Sequence, residues 1–274
     1  MSDAFGYSDR VSVGDAERAE LMAFAERTAV LAGGKTLDYF RGDLAVENKL
    51  SHGFDPVTAA DKAAEVVIRE AISSAYPAHG VYGEEFGYQP GNGLTWVIDP
   101  IDGTRAFMSG MLHWGVLLAL FDGDEPIVGA MYQPYVDDLF VGDGRQAVHQ
   151  HRGSRTLMST SSVSTVSDAV LATTDGKYFR DDLFRFEALK AESKLTRLGG
   201  DCYVHAMVAL GGVDLGTDGS LNPYDIQALI PIVRGAGGVV TTFDGGNPSM
   251  GGNVLCSANE TLHRAALDII QREA

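Results

Sequence analysis

Two aspartates three positions apart follow a short apolar run of the chain. The segment 99–104 reads Asp-Pro-Ile-Asp-Gly-Thr and comes directly after the strand-like residues 96–98. At this spacing the carboxylates of Asp99 and Asp102 can converge, with the Ile101 carbonyl between them. Such hard oxygen ligands favour Mg²⁺, which binds through a few carboxylates plus substrate oxygens. A turn with solvated aspartates is the alternative, but the strand, the proline and the Gly-Thr pair favour a metal site.

The two residues after Asp102 predict a phosphate-binding turn. Gly103 and Thr104 begin a helical turn, and the free N–H groups at a helix N-terminus can hold an anion. Carboxylates beside a bound phosphate would repel it unless metal ions lay between them. The segment therefore predicts a metal-assisted phosphate site.

Three further acids are candidates for the same site. Glu84 follows the predicted strand 80–82, Asp61 lies in the first turn of the predicted helix 58–76, and Asp225 opens an apolar helix. Each also has a simpler explanation, because acids are common in charged loops and are favoured in the first turn of any helix. Taken alone, none of these three residues identifies a site.

Hydrophobic periodicity predicts the elements that must position these acids, and strands alternating with helices indicate sheets covered by helical layers. The Gly33-Gly34 pair is expected to weaken or bend the first helix, Asp122-Gly123-Asp124 reads as a hairpin turn, and the polar stretch 146–165 reads as a seam between two lobes. The predicted helices are 15–41, 58–76, 183–191, 202–210 and 223–234, and the predicted strands are 80–82, 95–98, 114–121, 127–132, 169–173, 194–198, 213–216 and 239–243.

Composition excludes several classes of protein. The chain has 274 residues, is 45% hydrophobic and 21% charged, and carries a formal net charge of −16. This composition is typical of a globular protein, and so acidic a chain has no general attraction for nucleic acid or an anionic membrane surface. We expect no targeting segment, because the first residues have neither a basic region nor an apolar core. The sequence has no apolar run of 18 residues, and two cysteines make no disulfide framework. We therefore expect a cytoplasmic protein.

Two other patterns have simple structural explanations. His149-Gln150-His151 could suggest zinc, but no companion ligands stand at metal spacing, so exposed loop histidines are the better interpretation. Cys202 and His205 share a helical face, and buried packing is the better interpretation of both.

The acidic motifs together resemble the inositol monophosphatase superfamily of Mg²⁺-dependent, Li⁺-sensitive phosphomonoesterases. The resemblance covers nearly the whole chain, and its specific segments are most similar to the histidinol-phosphate phosphatase branch. The motifs that carry it are the segments 55–61, 83–85, 99–104, 224–225 and 235–238, and those similar to the branch are 102–110, 199–203 and 222–225.

The resemblance implies a fold of class α/β (α+β), a layered αβαβα sandwich. It implies a single domain over residues 1–274, with an N-terminal lobe at about 10–150 and a C-terminal lobe at about 151–272. It also implies a homodimer, which composition cannot show.

The resemblance also implies a role for each site residue. Thr104, hydrogen-bonded to Asp61, would orient and help deprotonate the attacking water, with Glu84 as a third catalytic residue, while the amides of Gly103 and Thr104 would hold the phosphate. The implied metal ligands are Glu84, Asp99, the Ile101 carbonyl, Asp102 and Asp225, for two to three Mg²⁺ ions that Mn²⁺ can replace. The implied substrate contacts are Asp218, Asp201, Arg105 and Lys49.

We expect hydrolysis of a small phosphate monoester, L-histidinol phosphate, because its ammonium group suits the acids Asp218 and Asp201. Inositol 1-phosphate is the alternative substrate, and a 3′(2′),5′-bisphosphate nucleotidase is disfavoured only weakly. A catalytically silent scaffold would lack at least one of the metal-binding acids or the threonine, and none is missing.

Overall fold

The computed structural model describes residues 5–41, 46–48 and 56–272 of the chain. A two-stranded ribbon, β1 (Val46–Asn48) paired antiparallel with β2 (Pro56–Thr58), precedes the two main sheets. Lys49, a predicted substrate contact, lies outside the described residues.

The larger sheet has eight strands. In chain order they are β3 (Gly80–Gly83), β4 (Gly87–Gln89), β5 (Thr95–Asp102), β6 (Gly115–Phe121), β7 (Pro126–Gln133), β8 (Asp138–Gly142), β9 (Ala147–His151) and β10 (Ser154–Leu157). They are arranged β10-β9-β8-β7-β6-β5-β3-β4. Strands β3 and β5 run parallel, whereas the other neighbours are antiparallel. The parallel pair matters for function, because its two strands end at the same edge.

The smaller sheet has five strands, arranged β12-β11-β13-β15-β14. They are β11 (Val170–Thr173), β12 (Leu195–Leu198), β13 (Leu215–Leu221), β14 (Val239–Thr242) and β15 (Gly252–Ser257). The helices are α1 (Asp15–Thr36), α2 (Ala59–Ala75), α3 (Thr104–Met108), α4 (Leu183–Glu192), α5 (Tyr203–Ala209), α6 (Pro223–Ile226), α7 (Leu229–Gly235) and α8 (Glu260–Ile270).

Helices and sheets alternate in five layers. Helices α1 and α2 pack on one face of the larger sheet, and α5, α6 and α7 lie between the two sheets. Helices α4 and α8 cover the outer face of the smaller sheet. The expected αβαβα sandwich is confirmed. None of the helices in the described part of the chain combines the length and the apolarity needed to cross a bilayer.

Strand β6 shows why the larger sheet must be covered on both faces. Every residue of β6 is buried. Val116 and Leu118 belong to the cluster under α1 and α2, whereas Leu117 and Ala119 belong to the cluster shared with α5 and α7. Because successive side chains of a strand point to opposite faces, a wholly apolar strand requires helices on both sides.

The first helix is shorter than the predicted range 15–41. It ends at Thr36, turns follow, and Arg41 has a positive φ of 62°. Helix α1 continues through Gly33 and Gly34, and Gly33 packs directly against the ring of Tyr132, where a Cβ would not fit.

Other boundaries also differ from the sequence predictions. The helix predicted at 223–234 is two helices, α6 and α7, and Pro231 lies in the first turn of α7, where its missing N–H removes no helical hydrogen bond. Eight of the described strands and helices were not predicted: β1, β2, β4, β8, β9, β10, β15 and α8. Two of them, β9 and β10, occupy the first part of the polar stretch 146–165, and β10 is exposed throughout, so no apolar pattern marks it.

Close packing between the sheet and the central helices makes Gly129 of β7 a stability determinant. A Cβ at Gly129 would collide with the backbone carbonyl of Ala228. Gly129→Ala is therefore expected to lower the free energy of unfolding by about 1–3 kcal/mol, as overpacked cores do. The matched control is Gly34→Ala, where a Cβ meets nothing within 4 Å and helix propensity improves. Equal urea midpoints for the two variants would contradict this packing.

Candidate active site

The parallel strands β3 and β5 bring Glu84 beside Asp99. Gly83 is in register with Ile98, and the Glu84 N–H donates to the Ile98 carbonyl at 3.2 Å. Both acids therefore stand at the same edge of the larger sheet, as the sequence predicts from strand ends.

An irregularity in β5 turns Asp99 and Asp102 towards a common point. The regular pairing with β6 is lost between these residues, where Pro100 has no N–H to donate. The Ile101 N–H donates to Asp99 Oδ1 at 3.1 Å, which fixes the carboxylate against its own turn. Asp99 is 2% exposed and Asp102 is half-buried.

Gly103 makes the transition from β5 to α3. Its φ is +83°, and a Cβ there would meet the His113 carbonyl oxygen at 2.5 Å, so the turn requires glycine. The Thr104 hydroxyl donates to the Ile101 carbonyl at 3.1 Å, not to Asp61, which corrects the expected Thr104–Asp61 hydrogen bond. The hydroxyl takes this acceptor because the carbonyl lies three residues earlier in the same turn.

Asp225 reaches the site from the other half of the chain. It lies in the first turn of α6, which contacts β5. The Asn222 backbone N–H donates to Asp225 Oδ2 at 2.6 Å, and the Asn222 side-chain amide donates to the same oxygen at 3.2 Å. Asp225 therefore caps its helix, as the simpler explanation of this acid predicts, and it also belongs to the acidic site.

Carboxylate oxygens of Asp99, Asp102 and Asp225 lie within 4.8 Å of one another. Among the described residues, Glu84 is not a member of this triplet, but its charge raises the pKa of Asp99. Burial raises the pKa of Asp99 well above its ordinary value, and the charges of Glu84, Asp102, Asp225 and Asp61 raise it further. Asp61, 2% exposed, therefore belongs to the same electrostatic environment.

The other two acids of the triplet are affected in the same direction. Burial raises the pKa of Asp102, with further increases from Asp201 and Asp225, against the lowering effect of Cys202. Burial raises the pKa of Asp225 to about 6, although hydrogen bonds from Asn222 oppose the shift. Carboxylates in this arrangement must either retain protons or share a cation. Clustered hard oxygen donors fit a divalent ion such as Mg²⁺.

A cavity of about 350 Å³ opens beside the triplet. Its lining includes predicted metal-binding, phosphate-binding and substrate-binding residues together: Glu84, Asp102, Gly103, Thr104, Arg105, Asp201, Asp218 and Asp225. The cavity is therefore large enough for a small phosphorylated molecule next to the acidic cluster.

Asp218 lines this cavity but is strongly engaged by the protein itself. It is 4% exposed and accepts hydrogen bonds from the Thr173 hydroxyl at 3.1 Å and the Thr174 N–H at 2.7 Å. His205 Nε2 lies 3.4 Å from its other oxygen. Burial lowers the pKa of His205, but Cys256 and Asp218 raise it, to about 10. The wall thus places the buried His205 ring beside the Asp218 carboxylate.

Asp201 is the other predicted substrate acid in the cavity lining, and its backbone has a positive φ of 45°. Burial and the charge of Asp218 raise the pKa of Asp201 to about 7, against the lowering effect of Arg105. The Arg105 guanidinium lies 5.5 Å from the centroid of the Tyr178 ring, which also lines the cavity.

Burial of Cys202 and His205 is confirmed, since both are 2% exposed. The interpretation of His149 and His151 as exposed loop histidines is wrong. Both lie on β9, and their rings contact Asp138 Oδ1 at 3.1 and 2.7 Å, because Asp138 of β8 pairs with His151 and His149 lies two residues away on the same face of β9. In the region that the structure describes, they form no part of the candidate metal cluster.

Sequence reasoning missed several residues of the site. Tyr178, Arg180 and His205 line the cavity, and the Cys202 N–H donates to Asp102 Oδ2 at 2.6 Å. Glu65 is 0% exposed on α2 and holds the segment after Glu84. A sequence signal existed for Glu65, because an acid four residues after Asp61 on the apolar face of a helix is unusual.

Comparison with known proteins agrees with this geometry. The model of the inositol monophosphatase family matches residues 17–273. A histidinol-phosphatase of Chlorobaculum parvum is 37% identical, covering 89% of this chain and 93% of its relative, and one of Streptomyces coelicolor is 37% identical, covering 92% and 97%. The structure of an inositol monophosphatase from Zymomonas mobilis has a TM-score of 0.82 at 32% identity, covering 93% of this chain and 98% of the other.

The family match extends over nearly the whole chain and includes all the acidic segments of the site. The fold agrees with the same family. Family and relatives are metal-dependent phosphatases. The chain belongs to the inositol monophosphatase family and is an enzyme of its metal-dependent phosphatase class.

Proposed function

We propose that this enzyme hydrolyses L-histidinol phosphate to L-histidinol and inorganic phosphate with Mg²⁺ as its cofactor. The observation that carries the proposal is the pairing of a carboxylate triplet with a second acidic group, Asp201, around one cavity. The triplet suits the cations that accompany a phosphate, and Asp201 suits an ammonium group. Two histidinol-phosphatases at 37% identity support the same substrate.

The proposed metal ligands are Glu84, Asp99, the Ile101 carbonyl, Asp102 and Asp225. Their oxygens fit a hard divalent cation, and Mn²⁺ is the expected substitute. When bound, such ions supply charge neutralisation for the phosphate and lower the pKa of a water molecule.

The residues around the triplet would handle the phosphate and the water. The N–H groups of Gly103 and Thr104 stand at the start of α3 in the cavity lining and would hold the phosphate oxygens. We propose that the Thr104 hydroxyl orients the attacking water and that Asp61 accepts a proton from this water. Glu84 is the third proposed catalytic residue. Water attacks phosphorus, the bond from phosphorus to the histidinol oxygen breaks, and that oxygen takes a proton.

The choice between the two substrate acids favours Asp201. The Asp218 carboxylate already accepts hydrogen bonds from Thr173 and Thr174 and lies 3.4 Å from His205, so it is engaged within the wall. Asp201, with a pKa of about 7, would be held in its ionised form by an ammonium group. Inositol 1-phosphate carries no such cation, although the resemblance to the Zymomonas mobilis structure keeps it as the alternative substrate.

A substrate panel tests the proposed function. Phosphate release from histidinol phosphate, inositol 1-phosphate and adenosine 3′,5′-bisphosphate is measured while Mg²⁺ is titrated. We expect metal-dependent release, with the highest kcat/KM for histidinol phosphate. Equal or better turnover of inositol 1-phosphate would overturn the substrate, and the absence of metal-dependent release from all three would overturn the function.

Neutralising one acid of the triplet should separate activity from stability. Asp99→Asn keeps the shape and the acceptor for the Ile101 N–H but removes a charge from a crowded site. We expect phosphate release to fall to background and the Tm of the metal-free protein to rise. The pKa of Asp99 is raised on folding, so its ionisation costs stability as pH rises above about 4, where the unfolded chain ionises. The gain in Tm from Asp99→Asn should therefore increase as the pH is raised above about 4.

The matched control for this variant is Asp122→Asn. Asp122 is equally buried, but its carboxylate pairs with Arg10 Nε at 2.8 Å, so its neutralisation should lower Tm and leave activity unchanged. If Asp99→Asn lowers the metal-free Tm as the control does, the acids do not repel one another as described.

Removing the charge of Asp201 should change substrate preference. Asp201→Asn is expected to lower kcat/KM for histidinol phosphate by about 10- to 100-fold, the value of a charge-assisted hydrogen bond. The value for inositol 1-phosphate should change much less. Asp181→Asn removes the same charge from an exposed position outside the cavity lining and serves as the control. An equal loss for both substrates would show that Asp201 does not recognise the ammonium group.

A further inference from the structure

Glu65 is a buried acid that the proposed chemistry does not use. It lies on α2, four residues after Asp61 and therefore on the same helical face, and it is 0% exposed. A fully buried carboxylate must be paired and hydrogen-bonded, because its desolvation is otherwise very costly. Its partners therefore indicate why it is there.

The Glu65 carboxylate is bonded to the turn that joins β3 to β4. Its Oε2 accepts the Glu85 N–H at 2.8 Å, and its Oε1 accepts the Phe86 N–H at 3.3 Å. Arg69, one turn further along α2, donates from Nε to Glu65 Oε1 at 2.7 Å and from Nη2 to the Gly87 carbonyl at 2.5 Å. The pair thus holds three successive backbone groups immediately after Glu84.

The same carboxylate also lies against the residue before Glu84. A Cβ on Gly83 would collide with the Glu65 carboxyl group, so the approach requires glycine at this position. On the opposite side, the Glu84 N–H is bonded to the Ile98 carbonyl of β5. The backbone of Glu84 is therefore fixed from both sides, by β5 and by the Glu65–Arg69 pair.

We propose that Glu65 is a positioning residue that holds Glu84 in its metal-binding place, an inference that rests on the proposed function. The requirement is for a carboxylate specifically, because both of its oxygens accept hydrogen bonds from N–H donors. A glutamine would turn an NH₂ group towards one of these donors. Arg69 compensates the charge, so Glu65 contributes order to the site without adding to the repulsion within the triplet.

Metal binding, measured directly, distinguishes positioning from a purely structural role. Mn²⁺ binding to the full-length protein is followed by electron paramagnetic resonance, at a temperature where every variant is folded by circular dichroism. Glu65→Gln is expected to raise the Mn²⁺ dissociation constant by about 10- to 100-fold, as loss of a residue behind a metal ligand typically does. The half-saturating Mg²⁺ concentration for phosphate release should rise in parallel, and excess Mg²⁺ should restore most of kcat.

Two further variants keep the test decisive. Arg69→Lys retains the charge but cannot reach both Glu65 and Gly87, so it should shift Mn²⁺ binding in the same direction if Glu65→Gln does not fold. Glu70→Gln, at an exposed position on the same helix, should leave Mn²⁺ binding unchanged.

Unchanged Mn²⁺ affinity in folded Glu65→Gln, or an equal loss in Glu70→Gln, would overturn the inference while leaving the proposed function intact. A wild-type protein that binds no Mn²⁺ and releases no phosphate would overturn the proposed function and the inference together.

Discussion

Mutual repulsion among clustered carboxylates, one buried and two half-buried, is the constraint on which the candidate site depends. Oxygens of Asp99, Asp102 and Asp225 lie within 4.8 Å of one another, and two unit charges 4 Å apart repel by about 4 kcal/mol in typical protein surroundings. Burial raises the pKa of each of the three acids, so the cluster is costly when it is ionised and empty of cations. A divalent cation converts this cost into binding energy, which is the physical basis of a metal-dependent phosphatase.

The fold holds the acids in place through backbone N–H groups drawn from separate parts of the chain. Asp102 receives the Cys202 N–H, which comes from the helical layer between the two sheets, and Asp225 receives the Asn222 N–H from its own helix. The turn after Glu84 is held by Glu65 of α2. The site therefore lies where both sheets and their helices meet, and its geometry depends on the assembled sandwich.

The features of the fold that depend on local chemistry could be predicted from the sequence. Strand β5, the turn at Gly103 and the acids at strand and helix ends follow from apolar runs, proline and glycine, and the resemblance assembled them into one site. Long-range contacts could not be predicted this way: the position of Asp138 opposite His151 and the threonine partners of Asp218 depend on strand register. Exposed β10 has no apolar pattern to reveal it. The lobe boundaries, the homodimer, the cytoplasmic location and the lithium sensitivity stay predictions.

The most direct measurement is the anomalous diffraction of crystals of the full-length enzyme soaked in Mn²⁺. The account predicts an anomalous peak within coordination distance of both Asp99 and Asp102, with Asp225 completing the same site. Manganese bound elsewhere on this acidic surface, with no ion shared between these carboxylates, would contradict it.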